Sequence, residues 1–156
     1  MPTSVRESII ANIVTALGSV TTANGYSNTL ASVQRFMQTG LSVATVPTAV
    51  VNWDDERKSN GPVERAMCTL GVSVDVWAVH DQELVSGSTA TLVDSLAADV
   101  EKAVMQDPTR GGFARECEVV SVIPFRLAEG QPFVGATVSL TITYAHDLTD
   151  PYVERN

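Results

Sequence analysis

The chain is poor in the residues that most catalytic and metal sites are built from. Its 156 residues include two cysteines, two histidines and nine aromatic side chains (two Trp, three Tyr, four Phe). Cys68 and Cys117 both lie in strand-like sequence. They read as buried free thiols, because nothing points to a compartment that would oxidise them. A zinc site needs three or four convergent ligands, and no Cys-x-x-Cys or His-x-x-x-His spacing occurs. No apolar run approaches the ~20 residues of a membrane-spanning helix. The N-terminus "MPTSVRESIIANIV" lacks a basic start and a small-residue cleavage site. The expectation is a soluble protein made in a cytoplasm. Ten Lys and Arg against eighteen Asp and Glu give a formal charge of -8, with no basic cluster. Such a surface repels nucleic acid and anionic lipid on average.

What is present is regular amphipathic patterning along one domain, 1–156. At this length about 70% of the unfolded surface can be buried. Ser4 followed by Glu7 forms a capping-box pattern, and Val5, Ile9, Ile13 and Leu17, widened by Ile10 and Val14, predict a first helix ending near Gly18. Asn24-Gly25 predicts a tight turn with positive φ angles. The imperfect alternation from Leu30 to Met37 predicts a half-exposed or edge strand. Gly40 to Pro47 reads as a connection and "TAVVNW" as a second strand. The stretch "DDERKSNGP", Asp54 to Pro62, reads as a solvated loop.

A third strand is expected from Met67 to Val79, with Leu70, Val72, Val74 and Val76 on one side. A second helix is expected from "SGSTATL" to about Gln106, carried by Leu92, Leu96, Val100 and Val104 and stopped by Asp107-Pro108. A fourth strand from Cys117 to Phe125, a turn at "AEGQP", and a fifth strand from Val134 to Tyr144 complete the order α-β-β-β-α-β-β. This predicts an α+β two-layer sandwich, a mixed or antiparallel sheet of about five strands with two helices on one face. Residues 149–156 lack periodicity and are expected to lie outside the sheet.

The chemistry-bearing residues do not assemble into a recognisable motif. The strand-to-helix stretch "VHDQELVSGSTATL" has one glycine and no lysine, which argues against a phosphate loop. His80 and His146 each precede an aspartate after a strand and read as exposed strand ends sharing a rim. Ser86 and Ser88 suit helix capping better than nucleophilic attack. Cys117 stands between Glu116 and Glu118, which oppose thiolate formation. Asp54 and Asp55 sit in hydrophilic sequence. No catalytic residue, cofactor or metal is therefore expected, and binding or assembly is the preferred class.

Several segments in a fixed order carry a resemblance: "SVRESIIANIVTAL", "TTANGY", "ASVQRF", "VPTAVV", a charged stretch, a Val-rich strand, "LAADVEKAVMQDP" and a closing "DPY". Together they resemble the tail terminator proteins of long-tailed bacteriophages, the lambda-like minor tail protein U group. The resemblance implies a structural virion protein of the tail or neck, assembled in the host cytoplasm. It implies a hexameric ring that caps the tail tube, ends its polymerisation and joins the tail to the head connector. DNA would pass through the channel, with no cofactor and no reaction.

Six copies at -8 each carry -48, which would discourage DNA from sticking to a channel wall. Gln34 and Arg35 are the candidate seam contacts, together with Asp54, Asp55, Glu56, Arg57 and Lys58. That charged stretch and the tail are also candidates for axial contact with the tube protein or connector. Trp53 reads as core at a strand end or as an interface anchor, and Tyr152 as an anchor. Two alternatives stand beside this: another neck or head-closure protein, and an acidic ligand-binding domain or enzyme with an intersubunit site.

Overall fold

Alternating apolar residues build most of the sheet, and one face of it forms the core. The computed structural model describes residues 1–36, 46–79, 88–126 and 132–156. Its elements are α1 (Val5–Gly18), a single 3-10 turn (Thr22–Asn24), β1 (Ser32–Arg35), β2 (Thr48–Gly61), β3 (Arg65–Val79), α2 (Ser88–Met105), β4 (Glu116–Arg126) and β5 (Phe133–Asp147). The strand order is β1-β2-β3-β5-β4. β1 runs parallel to β2 and every other pair is antiparallel, so the sheet is mixed. The expected α+β sandwich is the fold the chain adopts.

On β3 the even positions from Ala66 to Ala78 are buried, and on β5 so are the even positions from Val134 to Tyr144. They meet Ile9, Ile13 and Leu17 of α1 and Leu96, Val100 and Val104 of α2 in one cluster. Each large aliphatic side chain in it contributes roughly 1.5–3 kcal/mol by leaving water. Ser4 caps α1 through its Oγ, which accepts from the Glu7 amide at 3.2 Å. The capping box is only half made, because the Glu7 carboxylate takes Arg35 of β1 instead.

Local expectations fail in instructive ways. Gly18 does not end α1 in a left-handed conformation; Ser19, with right-handed angles, is the C-cap. Gly25 has the positive φ expected of its turn, at 81°, but Asn24 closes a 3-10 turn instead of sharing it. β1 covers only Ser32–Arg35, and Met37 lies outside the described residues. So do most of the expected 40–47 connection, His80, Ser86 and most of the "AEGQP" turn.

The largest correction concerns "DDERKSNGP". It is strand, not loop, paired with β3 from Thr48↔Trp77 to Gly61↔Arg65, and the chain reverses at Pro62–Glu64. Antiparallel pairing satisfies the backbone there, so polar composition does not force a loop. The tail also departs from expectation. Asp147 N donates to Val153 O at 2.8 Å and Arg155 N to Ala145 O at 3.1 Å, so residues 153–155 extend the sheet edge beyond the start of β4.

Candidate functional site

A β-bulge decides which charged side chains meet. Trp53 pairs with Val72 and Asp55 with Gly71, leaving Asp54 as an extra residue. Before the bulge the odd positions of β2 face the helices; after it the even ones do. Glu56 therefore stands opposite Leu70, and Lys58 opposite Cys68, on the core face.

Glu56 is the centre of a polar cluster beneath the start of α1, with a side chain only 6% exposed. The Tyr144 hydroxyl donates to its Oε1. Its Oε2 accepts from Arg6 Nη1 at 3.0 Å and faces Lys58 Nζ at 3.2 Å. Burial pushes the Glu56 carboxyl up, but the Tyr144 and Lys58 hydrogen bonds and the Lys58 and Arg6 charges outweigh it and leave it below its ordinary value. Burial, then the Glu56 hydrogen bond, raises the Tyr144 hydroxyl well above its ordinary range. Burial also raises the Cys68 thiol, with Glu56 adding to it.

His146 joins this cluster and corrects its reading as an exposed strand end. It is buried, with Nδ1 2.6 Å from Asp147 O and Nε2 3.1 Å from Lys58 Nζ. A carbonyl only accepts and an ammonium only donates, so Nδ1 carries the proton and Nε2 offers its lone pair. The expected rim shared with His80 involves a residue outside the described ones.

The guanidinium of Arg6 lies 4.7 Å from the centre of the Trp53 ring. Above the cluster Ser4, Arg6, Lys58, Tyr144, Pro151 and Tyr152 line a cleft of about 210 Å³. The tail is held there by Val5 N donating to Pro151 O at 3.1 Å. Thus Trp53, Glu56, Lys58 and Tyr152 converge. Asp54, Asp55 and Arg57 do not. Asp54 accepts from Ser73 Oγ at 3.0 Å, and Asp55 lies over Gly71 and 3.5 Å from Arg57, on the other face. Gln34 and Arg35 lie on β1, where Arg35 is paired with Glu7. Arg6 and Tyr144 read in sequence as an ordinary helix position and a strand position, and His146 as an exposed strand end, so none of the three signals the cluster.

A second surface lies at the other edge of the sheet. Among the described residues β4 pairs only with β5. Val122 and Pro124 oppose the core-facing Val138 and Ala136, while Ile123 opposes Thr137 on the other face. Yet Val120 is 55%, Val122 39% and Ile123 58% exposed. On the helix side Val122 and Pro124 border a groove of about 730 Å³ against Val93 and Ala97 of α2. The signal was present in sequence: "VVSVIPF" is nearly continuous in apolar residues, the pattern of a strand covered on both faces.

Cys68 and Cys117 are free and buried, as expected. Burial is the main cause that raises the Cys117 thiol, with Glu118 a lesser one. Among the described residues no group of three or more His, Cys, Asp or Glu is placed to hold a metal, and no helix is long and apolar enough to cross a membrane. No protein-family model matches the chain, and no curated protein does.

Proposed function

We propose that the chain is a structural assembly subunit of the phage tail terminator kind, working as a hexameric ring in the virion tail or neck. The observation that supports assembly is β4, an edge strand whose sequence suits burial on both faces. A charged or very short strand guards a sheet edge against association. β1 has that character; β4 from Val119 to Phe125 has none of the charge. Its bulge at Val120 and its Pro124 interrupt the ladder, so side-chain packing, not strand addition, is the mode of cover. A ring needs two unlike surfaces on each subunit, and the two sheet edges are unlike. The terminator identity rests on the ordered sequence resemblance. Its partners are then the tail tube protein and the head connector, with DNA passing through the channel.

The test is electron microscopy of the full chain, alone and with polymerising tail tube subunits, beside an Ile123→Lys variant. Six-fold rings or tubes capped at one end support the reading. A wild-type monomer that leaves tubes uncapped overturns it. Rings that survive Ile123→Lys would remove β4 from the seam while leaving the ring.

A further inference from the structure

We propose that the cleft between the start of α1 and the C-terminal tail binds a carboxylate, the acidic side chain of a partner protein being the source it suits best. This inference does not depend on the ring. Two cations, Arg6 and Lys58, share one Glu56 oxygen at 3.0 and 3.2 Å, while the other oxygen is taken by Tyr144. One carboxylate cannot neutralise both, so the Arg6–Lys58–Glu56 trio carries one excess positive charge in a chain of net charge -8. The tail carboxylate of Asp150 is engaged by the Tyr152 amide at 2.9 Å. Both cations keep part of their surface open, 35% for Arg6 and 45% for Lys58, and both line the cleft.

Their donors exceed their acceptors. Lys58 has three N–H groups, of which Glu56 Oε2 and His146 Nε2 engage two. Arg6 has five, of which Glu56 engages one, and its guanidinium carbon lies 4.7 Å from the centre of the Trp53 ring. The hydroxyl-bearing Ser4 and Tyr152 also line the cleft.

The charge balance selects the ligand. A singly charged carboxylate matches the excess of one. A phosphate dianion would place a second negative charge close to Glu56, which is already within 3.2 Å of both cations. Tyr152 in the cleft wall and Val153, the next residue, are exposed, so an acidic side chain flanked by apolar residues gains contact that free acetate lacks.

The experiment is a titration followed by NMR shifts of the Arg6 Nε–H and the Ser4 and Tyr152 amides, at constant ionic strength set with sodium chloride. The probes are sodium acetate, sodium phosphate and the blocked peptide Ac-Leu-Glu-Leu-NH2. Saturable shifts with both carboxylates are expected. Peptide binding at least tenfold tighter than acetate assigns the source to a protein; equal affinities assign it to a small free carboxylate. Lys58→Met should weaken binding at least tenfold, Tyr152→Ala should weaken the peptide more than acetate, and Arg57→Gln on the opposite face should change neither. Tyr152 is outside the ion pairs, so its variant tests the site even if Lys58→Met unfolds. Shifts that chloride reproduces, that fail to saturate, or that persist in a folded Lys58→Met protein overturn the proposal. Tighter binding of phosphate than of acetate overturns the choice of carboxylate.

Discussion

At the scale of single residues, Glu56 carries the most consequence. It is a buried carboxylate whose three partners come from α1, β2 and β5. Glu56→Gln removes the charge that both cations need and should cost about 2 kcal/mol, read as a lower urea midpoint at pH 7. The sign of the pH effect follows from the lowered folded pKa. The contribution is complete above the ordinary value of 4.5 and is lost as pH falls through the folded one. Asp147 behaves in the same sense at the protein surface. The Thr149 amide, then the Thr149 hydroxyl and Arg155, hold it at about 2, so its support of the tail should fade as pH falls from 3.8 towards that value. The Thr149 amide resonance should report this, and Asp147→Asn should abolish the titration. Gly135 is a steric case. A Cβ there would lie 2.0 Å from Val76 O and 2.8 Å from the Phe125 ring, which packs against Trp77. The backbone cannot yield cheaply, so Gly135→Ala should destabilise by about 3 kcal/mol in the same denaturation experiment.

At the scale of elements, the bulge and the tail matter most. The bulge lets β2 carry Ala49 and Val51 in the core and still direct Glu56 and Lys58 inward. Deleting Asp54 would leave Trp53↔Val72 and Asp55↔Gly71 in register, so that variant should fold and keep the Glu56 cluster, losing chiefly the Ser73 contact. Deleting Arg57 instead, inside the regular ladder, would shift the register against β3 and turn Lys58 and the side chains after it over. Comparing the two by circular dichroism and urea midpoint separates an extra residue from a required one. The tail is more than an appendage. It gives β5 three backbone bonds and gives α1 one, so truncation after Leu148 should lower the melting temperature by several degrees.

At the scale of the whole molecule, the sheet has two edges of different character. β1 is four residues long and tied to α1 through Arg35 and Glu7. β4 presents Val120, Val122 and Ile123 to water. Such an apolar edge is the surface that the proposed assembly would cover. If β4 forms the seam, Ile123→Lys should leave the far-ultraviolet dichroism unchanged while shifting light-scattering mass to the monomer. Arg35→Glu carries a different expectation: it places two carboxylates together at Glu7, so it should lower stability as well as any assembly.

Local periodicity by itself determined both helices, the long strands β3 and β5, and the two-layer α+β class. Leu70 to Val76 and Val134 to Tyr144 alternate because one face must leave water and the other must not. That pressure acts on each element before any partner is known. The tertiary structure alone decided the rest. Whether "DDERKSNGP" is loop or strand depends on β3 supplying a hydrogen-bonding edge, which polar composition does not reveal. Whether Glu56 points outward or into a cluster depends on a bulge of one residue. Arg6, Lys58, Tyr144 and His146 become neighbours only when α1, β2 and β5 are packed together. Register and long-range pairing come from contacts between segments far apart in the chain, so no local window contains them.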